Sequence, residues 1–429
     1  MYDLVIIGAG WAGFNAALRA KELGLAVCLI DSNQIGGTCL NYGCIPTKTL
    51  IASAKVFSLA KKSSNFGIEL DNPTLNWAAI QGKKDKVVLQ LKQGMQSKLR
   101  GIDFINLPAR IVSAREVKVD GRIIEAKFIL IATGSRPIQL GQLPFDAKKI
   151  ISSDDALALT RIPQSLLVVG GGVIGCEFAS LFSALGASVA IAEKTPTLLP
   201  TEDREVSRKL ETIFKKRGIK ILTEADVCSL DLENYEKVLV CVGRSPQLDG
   251  LGLAALGIEL INNKIAVDDY LKSSLDNIYA AGDCTGKVML AHYAAYQGVV
   301  AVDNMVLSNK RKADNLLVPS CIFTDPQIAS VGIKENDNFV CASAIKVQKL
   351  DFRGSAMAQI TEETEGFVKI ITEQGTNRII GASIVGPLAT ELIATLTMAI
   401  SCQLTVSQVS AIIFAHPTFS ESLSETIKN

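Results

Sequence analysis

The chain has 429 residues, a length that corresponds to about three domains. Apolar residues make up 48% of it and aromatic residues only 6%, as expected of α/β layers packed with Val, Ile, Leu and Ala. The 44 basic and 43 acidic residues leave a formal net charge of +1, which provides no electrostatic basis for binding nucleic acid or an anionic membrane.

The cellular setting can be predicted from the same composition. No apolar run reaches the ~20 residues that a bilayer span requires. The sequence begins directly in a predicted strand, without a signal or transit peptide before it. Its ten cysteines follow no disulfide framework, which indicates a reducing compartment. We therefore expect a cytoplasmic protein, in a bacterial cytosol.

Residues 2–31 predict a strand, a glycine-rich turn, a helix and a second strand. In the turn, GAGWAG, Gly8 and Gly10 let the backbone approach a pyrophosphate at the helix N-terminus, and Gly13 lets helix and strand pack closely. Asp31 ends the second strand, where it can accept hydrogen bonds from a ribose. The pattern predicts a dinucleotide site, and a turn of the same form without a nucleotide is the alternative.

The next stretch, Gly36–Lys48, reads GGTCLNYGCIPTK and contains two cysteines. Pro46 is tolerated only in the first turn of a helix, so we expect a helix to begin near Cys44. The helix N-terminus and Lys48, one turn on, would lower the pKa of the Cys44 thiol from about 8.5 towards roughly 3.5–7.5. Beside Cys39, such a thiol indicates a redox pair.

Two other interpretations of the cysteines remain. Half a zinc site would need further ligands, but the only histidines are His292 and His416, each in its own distinctive setting, and no second CxxC occurs. Two inert buried cysteines are the other possibility. We predict no metal site.

Residues 50–100 predict amphipathic helices with Lys-rich faces, which we interpret as solvated surface. Residues 102–131 predict short strands before the turn Thr133-Gly134-Ser135.

Residues 166–193 then repeat the first glycine-rich fingerprint. Glu193 follows Gly170 by as many positions as Asp31 follows Gly8. A carboxylate repels a 2′-phosphate of about −1.5 to −2 charges, so Glu193 favours NAD over NADP. Because the cysteines follow the first unit, we assign FAD to the first unit and a nicotinamide to the second.

Further elements complete the chain. We predict a helix over Leu198–Arg217, strands at 239–246 and 277–281, and a helix opening at Met289–His292. From residue 317, strands alternate with a helix at 388–402. His416 precedes a proline, so it should be extended, and Pro417 should start a short helix with Glu421 about one turn in. A His–Glu pair makes a good general base, although a lone His is more often structural.

These motifs resemble the class I pyridine nucleotide-disulphide oxidoreductases over nearly the whole chain. GGTCLNYGCIPTK closely resembles their redox-disulphide segment, ATGSRP their ATGSxP motif, VGRSP their VGRxP motif, and HPTFSE their C-terminal tail. Within that family, CLNYGCIPTK, MLAH and the helix ELIATLTMAI are most similar to the dihydrolipoamide dehydrogenases. The resemblance implies an α/β fold with two Rossmann-like dinucleotide-binding domains, for FAD and NAD, and a C-terminal α+β dimerisation domain.

The resemblance also implies domain limits and site residues. The implied domains are 1–148 (FAD-binding, first part), 149–264 (NAD-binding), 265–315 (FAD-binding and central, second part) and 316–429 (dimerisation). The implied catalytic residues are Cys39, Cys44, Lys48, His416 and Glu421. The implied FAD residues are Gly8, Gly10, Gly13, Asp31, Gly37, Thr38, Lys48, Ala109, Thr133, Gly134, Ser135, Asp283, Met289, Leu290, Ala291 and His292. The implied NAD residues are Gly170, Gly172, Gly175, Glu177, Glu193, Val227 and Gly243.

The reaction that the resemblance implies is oxidation of protein-bound dihydrolipoamide through a Cys39–Cys44 disulfide and FAD, with NAD⁺ reduced to NADH. His416 of a partner subunit would act as the base, Cys39 as the interchange sulfur and Cys44 as the sulfur facing the flavin. We also expect Lys48 to pair with Glu177. The implied partners are a second copy of the chain, in a homodimer with shared active sites, and lipoyl domains of the E2 acyltransferase or the glycine-cleavage H protein.

Three alternatives stay open at this point. The same machinery could act on another disulfide or a quinone, or the chain could be a weakly active structural subunit of a 2-oxoacid dehydrogenase assembly. A truncated, inactive paralogue is the third. The intact set of Cys39, Cys44, His416 and Glu421 argues against a scaffold. The chain is also shorter than the family pattern, and the shortfall falls around 223–240, where a β-meander of the NAD domain is expected.

Overall fold

The computed structural model describes residues 1–313, 317–337 and 344–428. The strands, numbered along the chain, are β1 (Tyr2–Ile7), β2 (Val27–Ile30), β3 (Asp103–Ile105), β4 (Ala109–Ser113), β5 (Glu116–Val119), β6 (Arg122–Ile131), β7 (Ser135–Pro137), β8 (Ile150–Ile151), β9 (Ser165–Val169), β10 (Ser188–Ala192), β11 (Lys220–Leu222), β12 (Lys237–Val240), β13 (Arg244–Pro246), β14 (Leu260–Ile261), β15 (Lys264–Ile265), β16 (Ile278–Ala280), β17 (Ser320–Ile322), β18 (Gln327–Gly332), β19 (Ile345–Asp351), β20 (Phe367–Glu373) and β21 (Ile379–Gly386).

The α-helices are numbered in the same way. They are α1 (Trp11–Glu22), α2 (Gly37–Asn41), α3 (Cys44–Lys61), α4 (Trp77–Lys98), α5 (Ser153–Leu157), α6 (Val173–Ala184), α7 (Arg204–Lys216), α8 (Ala291–Val306), α9 (Ala356–Ile360), α10 (Ala389–Ser401), α11 (Val406–Ser410) and α12 (Glu421–Lys428). None of the helices described is both long and apolar enough to cross a membrane.

The first sheet has the order β3-β2-β1-β6-β5-β4, with β16 also paired to β6. The long strand β6 pairs with two parts of the sheet. Its start pairs antiparallel with β5, and its end pairs parallel with β1 and β16. Helices α1 and α8 pack together over one face, where a Cβ on Gly298 would lie 2.1 Å from the Ala12 carbonyl oxygen. Through the late strand β16 the chain returns to its first sheet after leaving it.

The second sheet is parallel throughout, in the order β11-β10-β9-β12-β8. Helix α7 begins at Arg204, so the predicted start at Leu198 is wrong. The preceding segment instead crosses the glycine-rich turn, where the Leu199 N–H donates to the Gly171 carbonyl at 2.8 Å. Between β11 and β12 the chain makes two 3₁₀ turns, Val227–Ser229 and Leu232–Asn234, and this described stretch contains no strand. The expected meander is therefore missing, as the length of the chain predicted.

The third sheet is antiparallel, in the order β17-β18-β21-β20-β19, and α10 packs against it. Helix α12 begins at Glu421, so the predicted start at Pro417 is wrong. The Thr418 N–H donates to a Glu421 carboxylate oxygen at 2.8 Å, which holds the preceding residues in a turn. Helix α8 likewise begins at Ala291, two residues later than predicted. The expected domain limit at 315/316 touches residues outside the described ranges.

Candidate active site

One cleft of about 3000 Å³ joins the glycine-rich turns of the first two sheets and extends to the third. It is lined by nearly all of the residues that the sequence implied for FAD, NAD and thiol chemistry. The residues it leaves out are Gly13, Gly175, His416 and Glu421. The fold thus brings together segments from 8 to 292 of the sequence, as an active site for two dinucleotides and a thiol pair would require.

The first turn can only be built with glycine at its key positions. Gly8 has φ +111°, and a Cβ there would lie 2.2 Å from the Ala132 carbonyl oxygen. A Cβ on Gly13 would lie 1.8 Å from the Gly8 carbonyl oxygen, so this glycine serves helix packing, as predicted. Gly10 faces the cleft, and only Gly37 Cα, at 3.9 Å, lies near the position of its Cβ.

The second turn repeats this geometry. Gly170 has φ +105°, and a Cβ there would lie 2.5 Å from the Cys241 carbonyl oxygen. A Cβ on Gly175 would lie 1.9 Å from the Gly170 carbonyl oxygen, while Gly172 lines the cleft with no atom within 4 Å of its Cβ position. Both helix N-termini are thereby open to a ligand phosphate.

Each predicted acidic residue braces the turn beside it. The Ala9 N–H donates to Asp31 at 2.6 Å, and the Gly171 N–H donates to Glu193. Glu193 also accepts the Thr195 N–H at 2.7 Å and is buried. A carboxylate has about four lone-pair sites, so each acid can fix its turn and still accept from a ribose hydroxyl.

Polar groups in the first half of the cleft fit a bound FAD. The Thr133 hydroxyl is buried and has no hydrogen-bond partner within the described chain. Asp283 accepts the Ser135 hydroxyl proton at 2.5 Å, and burial raises the pKa of its carboxyl group. A buried donor and a partly buried carboxylate with spare capacity are the groups that a ligand rich in hydroxyls would satisfy.

The two thiols are in contact at the centre of the cleft. Cys39 lies on α2, Cys44 is the first residue of α3, and both are free thiols. The hydrogen bond from Cys39, followed by the charge of Lys48, lowers the pKa of Cys44 to about 7, against burial and the Glu177 charge. The same hydrogen bond and burial raise the pKa of Cys39. Near neutral pH the negative charge therefore resides on Cys44.

Lys48 and Glu177 form the predicted ion pair beside the thiols. Lys48 Nζ lies 2.8 and 2.7 Å from the two carboxylate oxygens of Glu177, which is 3% exposed. The Phe323 N–H donates to Glu177 at 2.9 Å, and its ring centroid lies 4.6 Å from Lys48 Nζ. Glu177 was assigned to NAD; it lines the cleft, but both of its oxygens are engaged by these neighbours.

His416 and Glu421 form their pair away from this cleft. His416 Nδ1 lies 2.9 Å from Glu421, which also accepts the Thr418 N–H at 2.8 Å. That backbone N–H, more than His416, lowers the pKa of the Glu421 carboxyl group. The His416 side chain is 73% exposed, and the nearby Ile413 is 96% exposed. One copy of the chain does not place this base at its own thiols.

Several residues of the cleft were not predicted as site residues. Arg244 donates to the Ser135 hydroxyl at 2.8 Å and to its carbonyl at 2.7 Å, joining the second half of the cleft to the first. The Phe323 ring lies against the Lys48 ammonium, the Trp11 N–H lowers the pKa of the Cys39 thiol, and burial raises the pKa of the Asp154 carboxyl group. The motif VGRSP signalled Arg244, whereas nothing local to Phe323 indicated its role.

Comparison with known protein families decides the assignment. Residues 2–298 match the pyridine nucleotide-disulphide oxidoreductases, and residues 318–427 match the dimerisation domain of the same family. The chain belongs to the pyridine nucleotide-disulphide oxidoreductases. The α/β fold with two dinucleotide-binding units and a C-terminal dimerisation domain is confirmed, and the dimerisation domain supports a homodimer.

Curated relatives of this oxidoreductase cover its whole length. A dihydrolipoyl dehydrogenase of Bacillus subtilis is 38% identical over 99% of this chain and 97% of its own. One of Chlamydia pneumoniae is 38% identical over 99% of this chain and 96% of its own. The predicted resemblance to dihydrolipoamide dehydrogenases is confirmed.

Solved structures agree with this assignment. LpdA from Mycobacterium tuberculosis has a TM-score of 0.92 and 29% identity, over 99% of this chain and 98% of its own. The HOCl-induced flavoprotein disulfide reductase RclA from Escherichia coli has a TM-score of 0.89 and 29% identity, over 100% of this chain and 99% of its own. The chain is thus a flavoprotein disulphide oxidoreductase, in a family that uses FAD and NAD(H).

Proposed function

We propose that this oxidoreductase is an NAD-dependent dihydrolipoyl dehydrogenase, which oxidises protein-bound dihydrolipoyl groups and reduces NAD⁺. The observation that carries the proposal is the Cys44 thiol, with a pKa of about 7, in contact with Cys39 inside a cleft that both glycine-rich turns line. The names of the full-length relatives give the substrate. No contact in the described residues favours a quinone, another disulfide or a scaffold role.

When bound, FAD would supply a two-electron acceptor for the thiols, and NAD⁺ would supply the final hydride acceptor. We propose that FAD is held by the Gly8–Gly13 turn, Asp31, Thr133 and Asp283. We propose that NAD is held by the Gly170–Gly175 turn, Glu193, Val227 and Gly243. The domain limits that follow are 1–148 and 265–315 for FAD, 149–264 for NAD and 316–429 for dimerisation.

The thiol steps use residues of two copies. His416 of a second copy accepts a proton from one substrate thiol, and Glu421 stabilises the resulting imidazolium. The substrate sulfur attacks Cys39, the Cys39–Cys44 bond breaks, and its electron pair leaves on Cys44. The second substrate sulfur then attacks the first and releases Cys39, so a cyclic disulfide leaves as product.

Electrostatics around Cys44 favour this direction of bond breaking. The N-terminus of α3 and Lys48 both stabilise a thiolate at Cys44, which makes it the better leaving group. Glu177 holds the Lys48 ammonium in place, because its own buried carboxylate needs that partner. The pair thus fixes a positive charge beside the reacting sulfur.

We propose that the dihydrolipoyl group arrives on a carrier protein, such as the lipoyl domain of an E2 acyltransferase or the glycine-cleavage H protein. The sequence names no single carrier. A cytoplasmic location fits the ten cysteines without a disulfide framework, since free thiols persist in reducing compartments.

The function is tested by anaerobic titration of the purified protein with dihydrolipoamide, followed in the visible spectrum, and then by addition of NAD⁺. We expect a long-wavelength absorbance band on reduction, and NADH formation as NAD⁺ reverses it. If dihydrolipoamide leaves the spectrum unchanged while NADH reduces the flavin, the family assignment stands and the substrate is wrong.

The shared active site has a separate test in mixed dimers. Cys44→Ser and His416→Gln homodimers should each be inactive, but a hybrid of the two contains one intact site. Random mixing should restore about a quarter of the wild-type activity. If the mixture stays as inactive as its parents, each copy must supply its own base.

A further inference from the structure

Trp11 lies beside the thiol pair because the first turn packs against α2. It is the first residue of α1, directly after Gly10. The Gly36 N–H donates to the Ala9 carbonyl at 2.9 Å, and a Cβ on Gly37 would lie 2.7 Å from Gly10 Cα. This close approach of two glycines brings the indole of Trp11 to the segment that carries Cys39, and both side chains line the cleft.

The indole N–H of Trp11 has no ordinary acceptor. Trp11 Nε1 is buried and lacks a conventional hydrogen-bond partner in the part of the chain described. Burying an N–H without an acceptor is costly, so such a group calls for an explanation. The other tryptophan, Trp77, shows the usual solution, because its N–H donates to the Leu159 carbonyl at 2.8 Å.

Cys39 is the thiol on which the Trp11 N–H acts, although the two groups form no hydrogen bond of ordinary length and angle in the dithiol. Trp11 acts on Cys39 as a hydrogen-bond donor that lowers the pKa of this thiol, opposing Cys44 and burial. A neutral thiol is a weak acceptor, whereas a thiolate accepts strongly. The interaction is therefore weak in the resting dithiol and becomes strong only when Cys39 carries the charge.

We propose that Trp11 is a further catalytic residue, whose indole N–H stabilises the Cys39 thiolate at the moment this sulfur is released from substrate. This proposal rests on the proposed function, in which Cys39 is the interchange sulfur. After the His416 imidazolium of the second copy has passed its first proton to solvent, the second substrate thiol loses its proton to this histidine and attacks the first substrate sulfur. The ring disulfide forms, the bond to Cys39 breaks, and the electron pair leaves on Cys39 beside Trp11.

The variant test isolates Cys39 in a Cys44→Ser holoenzyme. The protein is reacted anaerobically with iodoacetamide across a pH series, and alkylation of the Cys39 peptide is followed by mass spectrometry. Trp11→Phe keeps the ring but removes the donor, so we expect the midpoint to rise by about one pH unit, or about tenfold slower reaction below it. Trp77→Phe is the matched control and should leave the midpoint in place. An unshifted midpoint in Trp11→Phe, with FAD content unchanged, overturns the proposal.

A second measurement needs no change at Trp11 and covers the case in which Trp11→Phe fails to fold or loses FAD. With ¹⁵N-labelled tryptophan, the Cys44→Ser holoenzyme gives one indole N–H signal for each of its two tryptophans. We expect the Trp11 signal to shift as Cys39 ionises, the Trp77 signal to stay, and the shift to vanish with Cys39→Ser added. A Trp11 signal that ignores the ionisation of Cys39 refutes the contact.

These tests separate the two proposals, because neither uses dihydrolipoamide or NAD⁺. If Trp11 follows Cys39 while dihydrolipoamide is inert, the contact stands and the substrate is wrong. If turnover is normal while Trp11 is silent, the proposed function stands and Trp11 has no part in it.

Discussion

The two glycine-rich units are nearly identical in their turns and different in what surrounds them. In both, a carboxylate at the end of the second strand accepts the N–H of the residue after the first glycine. In both, a Cβ at the first or third glycine would collide with a backbone carbonyl. The first turn, however, packs against the segment with Cys39 and Cys44, whereas the second is covered by the loop before α7.

The difference shows which parts of the molecule determine binding and which determine chemistry. The repeated turn provides two dinucleotide sites, and the inserted segment Gly36–Lys48 adds a reactive pair to only one of them. The second unit contributes to that chemistry through Glu177, which reaches Lys48 across the cleft. Variants in the two units should therefore fail in different ways.

The largest effect should come from Cys44→Ser, which removes the sulfur that must leave as a thiolate. We expect dihydrolipoamide-dependent NADH formation to fall by roughly 10³-fold or more, since a group acting in a covalent unit cannot be replaced by its neighbours. Rapid-mixing absorbance should still show NADH reducing the flavin, because the second unit is untouched. Cys228→Ser, at an exposed thiol outside the cleft, is the control and should keep full activity. If Cys44→Ser lost flavin reduction by NADH as completely as dihydrolipoamide-dependent NADH formation, the two units would not have separate roles.

The next largest effect should come from alanine at the first glycine of each turn. In Gly170→Ala the new Cβ meets a carbonyl oxygen at 2.5 Å with φ at +105°, so we expect the NAD⁺ KM to rise roughly a hundredfold. Gly8→Ala meets its carbonyl at 2.2 Å and should instead lose FAD during purification. FAD content by absorbance and steady-state kinetics separate the two results.

Glycines of the same backbone type but without the clash provide the control for that pair. Gly24 and Gly186 also have positive φ, yet their Cβ positions have no atom within 4 Å. Gly24→Ala and Gly186→Ala should therefore show backbone strain alone, with cofactor binding unchanged. If they lose cofactor as well, strain rather than the closed turn explains the first pair.

A smaller effect, on the pKa of the Cys44 thiol, is expected from changes to the Lys48–Glu177 pair. At pH values below about 7 the alkylation of Cys44 in the reduced protein should slow in proportion to the thiolate lost. Lys48→Met removes a charge that stabilises the thiolate, so the midpoint should rise by about one unit. Glu177→Gln removes a negative charge that opposes the thiolate, so the midpoint of Cys44 alkylation should fall by about half a pH unit. Lys55 is an exposed lysine of the same helix and pairs with Glu363. Lys55→Met is the control and should leave the midpoint of Cys44 alkylation unchanged.

The smallest effect should come from making the two acidic residues neutral. In Asp31→Asn and Glu193→Gln the backbone N–H keeps an oxygen acceptor but loses the charge, a change of about 1 kcal/mol or fivefold in affinity. Asp31→Asn should weaken FAD alone, as measured by flavin fluorescence on dilution, and Glu193→Gln should weaken NAD⁺ alone by its KM. Weakened binding of both cofactors in either variant would mean that the sites are coupled.

The sequence predicted those parts of the site that depend on short stretches of chain. The glycines and the acid of each turn lie within one strand-turn-helix-strand unit, so their spacing alone indicates their geometry. The helix at Cys44 was predicted for the same reason, because Pro46 restricts its own neighbourhood. The ion pair of Lys48 with Glu177 joins distant segments, and only the family resemblance suggested it.

The errors arose where contacts between distant segments override local preference. Residues 198–203 have helical character, but they lie over Gly171 and start no helix. After His416 the carboxylate of Glu421 takes the Thr418 N–H, so the helix begins four residues later than Pro417 suggested. The residues around Trp11 do not indicate a role for it. Trp11 and the Cys39 segment come together only through the close approach of Gly10 and Gly37, which are far apart in the sequence.

The thiols and His416 lie far apart in the sequence, so the ribosome makes them at different times. About 370 residues lie between Cys44 and His416, and ribosomes add about 5–20 residues each second. Roughly 20–75 s therefore pass in which a growing chain holds its reactive sulfurs without the histidine. In the proposed mechanism the base comes from a second copy, so a finished second chain must then supply its His416. If the proposed mechanism holds, the order of synthesis and pairing delays turnover of substrate until a dimer is complete.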